Sequence, residues 1–166
     1  MEALFRRRSI RKYTREPVTD EQVTRLLKAA MAAPSAGNQQ PWQFVVIRDK
    51  DALTDLANAS PYADMLPDAA LAILVCGDLG RECHAGYWVQ DCSAATENIL
   101  IEVEELGLGA VWLGIYPVED RLEYLKKALN IPDKILPFAL ISIGHPAESK
   151  PPAERYDESR VHYEIW

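Results

Sequence analysis

Long apolar runs are missing from this 166-residue chain. The longest, Ala69 to Cys76, falls far short of the roughly 20 residues that a membrane-spanning helix needs. The stretch Met1–Arg8 holds no apolar h-region, which argues against a secretory signal. Cysteine is scarce and odd in number, with Cys76, Cys83 and Cys92 lacking the CxxC spacing of a zinc site. Free thiols in a reducing cytoplasm are therefore expected. The only histidines are His84, His145 and His162, all isolated, and no HExxH occurs. Cys83 and His84 are neighbours in sequence and so point apart, which makes them a poor nucleophile–base pair. A phosphate-binding P-loop is absent. Gly107-Leu-Gly109 follows a helical segment and precedes a strand, the reverse of a dinucleotide fingerprint, and the third glycine is missing. No catalytic triad, metal site or catalytic side chain can be assembled from these residues. Any enzyme built on them depends on a bound cofactor for its reactivity.

What is present is average for a globular protein: 48% hydrophobic and 26% charged residues. A chain of this size buries roughly 70% of its unfolded surface and needs no disulfide or metal staple. Low-complexity stretches, repeats and linkers are absent, so residues 1–166 are expected to form a single domain. The net charge is −7, unevenly spread. Arg6, Arg7, Arg8, Arg11, Lys12 and Arg15 oppose only Glu2 in the first fifteen residues, and the remainder is strongly acidic. Such a segment is either a local anion site or a solvated helix. An acidic body argues against a nucleic-acid face.

Hydrophobic periodicity places the elements. Residues 2–7 read as a short helix. Thr19 and Gln22 form a capping box before Val23, Leu26, Leu27, Ala30 and Met31, with Pro34 as the stop. Strands are expected at Gln43–Arg48, Ala69–Cys76, Ala110–Tyr116 and Phe138–Ile143, the second buried on both faces. Helices are expected at Asp51–Asn58, 86–107 and Glu119–Leu129. In the longest, Cys92, Thr96, Ile99, Val103 and Leu106 share one face, Glu97, Glu102, Glu104 and Glu105 occupy another, and Gly107 is the stop. Asp91 and Glu97 lie on different faces, so they are a poor carboxylate pair. From Ala147 onward the chain is polar and proline-rich, yet Tyr156, Tyr163 and Trp166 are too apolar to leave in water cheaply. Mixed helices and strands give an α+β or α/β class with a central sheet.

Three segments suit an anionic, planar, hydrogen-bonding ligand. Arg7-Arg8-Ser9-Ile10-Arg11 offers guanidinium groups for phosphate and a hydroxyl donor. The stretch 33–42, Ala-Pro-Ser-Ala-Gly-Asn-Gln-Gln-Pro-Trp, offers Ser35, Asn38 and Gln40 on a constrained backbone, or is a plain turn. Trp112-Leu113-Gly114 places a glycine within a strand, which marks either a close ligand approach or a strand-end bulge.

These segments, with Gly86–Ala95, Gly107–Gly114 and Ile143-Gly-His-Pro146, occur in an order that resembles the FMN-dependent nitroreductase family, its short members in particular. The likeness runs from about residue 3 to Trp166. It implies an α+β fold of three layers, α/β/α, around a mostly antiparallel sheet. It further implies an intertwined homodimer with two FMN molecules at the interface and a C-terminal tail, about 147–166, docked on the partner. On the matching positions, Arg7, Arg8, Ser9 and Arg11 would bind the FMN phosphate, ribityl chain and pyrimidine edge. Pro34, Ser35 and Asn38, with Gln40 in the same motif, would come from the partner subunit. Trp112, Leu113 and Gly114 would lie along the isoalloxazine, and Arg155 would bind phosphate. Some members carry a second basic residue where this chain has Ala153; either Lys150 compensates or phosphate binding rests on the remaining arginines.

The activity so implied is ping-pong transfer from NAD(P)H through FMN to nitroaromatic or quinone acceptors, with Arg7 or Arg11 as the positive group at the flavin N1–O2 edge. The alternatives are a dehalogenase or dehydrogenase on the same scaffold, or a flavin-binding protein without turnover. The short stretch from Asp49 to Pro67 offers little lid, which favours an open general reductase.

Overall fold

The computed structural model describes residues 2–166. Four strands, β1 (Trp42–Ile47), β2 (Leu71–Asp78), β3 (Gly109–Gly114) and β4 (Ile135–Gly144), form one sheet in the order β1-β2-β4-β3. Every neighbouring pair is antiparallel. The helices are α1 (Glu2–Arg6), α2 (Asp20–Met31), α3 (Lys50–Leu56), α4 (Trp88–Glu105) and α5 (Glu119–Ala128).

The three layers follow from strand periodicity. Leu71, Ile73 and Val75 of β2 point to the face covered by α2 and α4, with Leu26, Cys92 and Ile99. Ala72, Leu74 and Cys76 point to the opposite face, with Leu53 and Leu56 of α3 and Leu125 of α5. Both faces are dry, which is why β2 reads as an unbroken apolar run rather than an alternation. This is the expected α/β/α arrangement.

Local signals set the helix ends. The Thr19–Gln22 capping box forms in both directions. Helix α2 stops at Met31, before the expected boundary at Pro34. Helix α4 ends as anticipated: Gly107 takes φ +69°, its N–H reaches the Glu104 carbonyl, and the Leu108 N–H reaches that of Val103. The acidic face of α4 is not simply solvated. Glu104 meets Arg6 at 3.3 Å, Glu97 meets Arg7 at 3.3 Å, and Glu102 meets Arg25 of α2.

The largest departure from expectation is β4, which begins at Ile135 rather than Phe138. Pro137 inside a strand reads as a breaker. Here it sits opposite Cys76, where the pairing with β2 shifts register between Val75 and Cys76. A bulge is where a strand tolerates a residue without an N–H.

After α1 the chain runs beside the outer strand β3. Ser9 bridges Ala110, and the Ile10 N–H donates to the Ala110 carbonyl at 2.9 Å. Tyr13 anchors this arm: its hydroxyl lies 2.7 Å from Ser142 Oγ and 2.8 Å from the Ile10 carbonyl. Burial pushes the Tyr13 phenol up to about 12, as it does the thiols of Cys76 and Cys92. Among the described residues, no helix is long and apolar enough to cross a membrane.

Candidate functional site

The first part of the site is a cavity of about 600 Å³ between α1 and the C-terminal tail. Arg7 and Arg8 enter it from one end of the chain, and Arg155, with Glu154, from the other. Leu4, Phe5 and Tyr156 supply an apolar rim. The Nε atoms of Arg7 and Arg8 are buried without a hydrogen-bond partner among the described residues. Arg7 Nε lies 3.3 Å from Glu97 Oε1, near enough to pair electrostatically but outside hydrogen-bond geometry. Buried donors left unmade cost roughly 1–3 kcal/mol each, more when charged. A phosphate dianion offers the acceptors these donors lack, so the residues present fit such a group.

Ala153 lines the same cavity and Lys150 does not. The Lys150 ammonium instead donates to the Ser9 carbonyl and pairs with Glu148 at 3.4 Å. Glu148 accepts from the Arg11 backbone N–H at 2.6 Å, a bond that holds its carboxyl below the usual range. Lys150 is thus engaged with the arm and not with the cavity that Ala153 lines. Together with Glu148 it braces the 9–11 arm.

The second part is a cleft of about 350 Å³ at the open edge of β3. The arm covers β3 only as far as Ala110. Beyond it, Trp112, Leu113 and Gly114 line the cleft with Arg11, Pro61 and Tyr62. Trp112 is fixed edge-on against Phe138, with ring centroids 5.7 Å apart. A Cβ at Gly114 would meet nothing within 4 Å, so this strand glycine marks open space at the edge, not the register shift, which lies in β2. The Gly114 carbonyl accepts from Arg121 at 2.6 Å, and the Arg121 guanidinium lies 5.8 Å from the Tyr62 ring centroid. Tyr62 and Arg121 carry no sequence signal, because what places them is contact across the fold.

The third predicted segment lies elsewhere. Pro34, Ser35, Asn38 and Gln40 line neither the arginine cavity nor the β3 cleft. Their loop is tightly determined: Ser35 Oγ accepts from the Gln40 N–H at 3.0 Å, and Ala36 N donates to Asp91 Oδ1 at 2.9 Å. One chain thus brings together Arg7, Arg8 and Arg155, and separately Arg11 with Trp112–Gly114. Ser9 lies on the arm between these two groups, and the 34–40 loop stands apart. Asp91 and Gln39, which hold that loop, are not marked by the sequence. Asp91 reads there only as a poor match for Glu97, and Gln39 as the neighbour of Gln40. Among the described residues no group of three or more acidic, histidine or cysteine side chains gathers to hold a metal.

A family model described as the nitroreductase family matches residues 4–63 and 59–145. A protein of Methanothermobacter thermautotrophicus, provisionally named an NADH dehydrogenase/NAD(P)H nitroreductase, is 45% identical over all of this chain and 87% of its own length. An FMN-dependent nitroreductase from Clostridium difficile superposes with a TM-score of 0.93 at 31% identity, covering 100% of both chains. A provisionally assigned nitroreductase from Desulfovibrio desulfuricans, solved in complex with FMN, gives 0.86 at 34% identity over 99% of this chain and 96% of that one.

Proposed function

The chain belongs to the nitroreductase family, and from that premise we propose how its own residues serve an FMN-dependent NAD(P)H oxidoreductase. Arg7, Arg8 and Arg155 hold the FMN phosphate in the cavity beside α1. The observation that carries this is the convergence of those three arginines from opposite ends of the chain, two with buried Nε donors that make no hydrogen bond among the described residues. Ser9 and the arm lead from this cavity to the β3 edge, where Trp112, Leu113 and Gly114 lie along the isoalloxazine. The loop bearing Pro34, Ser35, Asn38 and Gln40 acts on the flavin of a second copy. Its separation from both cavities within one chain supports that assignment. The tail from about 147 to 166 docks on the same second copy, and residues 1–166 form one FMN-binding domain. Free Cys76, Cys83 and Cys92 fit a cytoplasmic setting.

Bound FMN supplies hydride acceptance from NAD(P)H and hydride delivery to an acceptor. The protein contributes position and charge. Arg11 is a better candidate than Arg7 for the positive group facing the flavin N1–O2 edge. Arg7 is partly neutralised by Glu97, while the Arg11 guanidinium has no ion-pair partner among the described residues and lines the β3 cleft. Pro61, Tyr62 and Met65 also line that cleft and offer apolar and aromatic surface to a planar nitroaromatic or quinone. Residues 49–67 pack into the core through Leu53, Leu56, Ala63 and Leu66 and leave the cleft without a long lid.

The test is the visible spectrum of the purified protein, followed by anaerobic titration with NADH and with NADPH and reoxidation by a quinone. A yellow protein bleached by a nicotinamide and restored by the quinone is expected. Colourless protein that takes up no FMN overturns the assignment. Flavin that binds but is not reduced marks a storage protein instead.

A further inference from the structure

The loop at 34–40 is costly as a backbone. Gly37, Asn38 and Gln40 take φ of +53°, +55° and +45°. For a residue with a side chain this left-handed region is disfavoured, less for Asn38 than for Gln40. Such a backbone persists only where its surroundings over-determine it, and strain of this kind gathers at functional sites. Besides the Ser35–Gln40 bond within it, the loop is held from the first turn of α4.

Asp91 and Gln39 are 4% and 6% exposed. Asp91 Oδ1 accepts from the Ala36 N–H at 2.9 Å, and Oδ2 accepts from Gln39 Nε2 at 2.6 Å. The other end of the Gln39 amide is equally engaged. Its Oε1 accepts from the backbone N–H groups of Cys83 at 2.9 Å and His84 at 3.0 Å. The orientation of this amide follows from its partners, because two backbone donors require the oxygen on that side. Gly37 packs against the His84 imidazole, so the two loops also touch directly. No cation pairs with Asp91 among the described residues. The partly positive N-terminus of α4 and the two donors supply its electrostatic complement.

We infer that Asp91 and Gln39 are positioning residues for the flavin, a hydrogen-bonded clamp that fixes the 34–40 loop in the conformation it presents to the cofactor. The inference rests on the flavin role proposed above for Ser35 and Asn38. It adds two residues that line neither cavity of the site, Gln39 within that loop and Asp91 on α4 behind it. The clamp has a definite donor–acceptor order, which makes it testable by exchange. Asp91→Asn puts a donor against a donor, at either Gln39 Nε2 or Ala36 N, and the Gln39 amide cannot turn without abandoning Cys83 and His84. Adding Gln39→Glu restores the order. The carboxylate so introduced on the loop accepts from Cys83 and His84 with one oxygen. Its other oxygen accepts from the amide introduced on α4.

The experiment titrates FMN into the full-length, FMN-free protein and follows quenching of flavin fluorescence, with melting of the FMN-free protein recorded in parallel. Asp91→Asn is expected to weaken FMN binding by about tenfold or more, from a buried polar group left unmatched. The double variant Asp91→Asn with Gln39→Glu is expected to recover to within about threefold of wild type, since no buried group is then unmatched. A merely structural role would lower the melting temperature and leave affinity in the folded fraction unchanged. That result, or a folded double variant without recovery, overturns the clamp. If Asp91→Asn fails to fold, Gln39→Glu alone, which sets acceptor against acceptor at Asp91, takes its place: weakened FMN binding by the folded variant supports the clamp and unchanged binding overturns it. If the wild type binds no FMN, the flavin assignment itself falls, and that arm contains no substitution.

Discussion

Strand β2 and the tail beyond Pro151 both carry large apolar side chains, and the molecule treats them in opposite ways. Leu71, Ile73, Leu74 and Val75 are 0% exposed. Tyr156, Tyr163, Ile165 and Trp166 are between 76% and 98% exposed. The first set is satisfied within the chain, on both faces of a sheet. The second is left open by the described residues, although it follows directly from Arg155, which reaches back into the arginine cavity. The contrast teaches that the apolar surface here is divided between what folding buries and what it leaves exposed, and that Arg155 stands where the two meet.

Four measurements sharpen or break that contrast. The largest effect is expected in the strand. Leu74→Ala should remove about 2–5 kcal/mol of folding free energy, because a buried leucine leaves a cavity that a close-packed sheet cannot fill. Denaturant unfolding of the FMN-free protein measures it, and a loss below about 1 kcal/mol would mean that β2 is less tightly packed than its burial implies. Next comes the junction. Arg8→Ala should weaken FMN binding by roughly tenfold to hundredfold, the worth of a charge-assisted hydrogen bond, and leave unfolding of the FMN-free protein nearly unchanged. Unchanged affinity would remove Arg8 from the phosphate site.

The third measurement addresses the core through pH. Cys76 lies in β2, Cys92 packs beneath it with its thiol towards the Cys76 carbonyl, and Tyr13 seals the sheet edge. Burial raises all three to about 12 in the folded chain, from ordinary values of 9.0 for the thiols and 10.0 for the phenol. In the unfolded chain these groups lose their protons first, so the stabilisation is complete below pH 9 and drains away as pH rises towards 12. By pH 10 each thiol should contribute about 1 kcal/mol of lost stability. Urea midpoints measured from about pH 8 to 10.5 test this, and a flat profile would contradict the burial. The smallest intrachain effect belongs to the tail. Trp166→Ser should change the stability of a single chain by less than about 0.5 kcal/mol, as exposed positions do. If the tail docks on a second copy, the same variant dissociates at higher concentration in sedimentation. A stability loss matching that of Leu74→Ala would place the tail in the core.

Legibility in the sequence follows the range of the interactions. The α2 cap, the Gly107 stop and the doubly buried β2 are local patterns, and each appears in the fold where its residues stand. The start of β4 is hidden because Pro137 is a breaker by itself and becomes acceptable only opposite a bulge in another strand. The arginine segment is marked by composition, but its meeting with Arg155 does not follow from spacing. Resemblance to a family supplies that pairing. Asp91 and Gln39 lie beyond both routes. Their bond joins residues far apart in sequence, and an aspartate in the first turn of a helix is commonplace.

The brace from Glu148 and Lys150 to the arm at Ser9 and Arg11 stitches the opening of the polypeptide to its close. Strand β4, which lies between β2 and β3, ends at Gly144, only a few residues before that brace. Register in the middle of the sheet and the spacing of the arginines are thereby linked. A slip of β4 by one residue would carry Glu148 and Lys150 with it, pull the arm away from β3 and part Arg155 from Arg7 and Arg8.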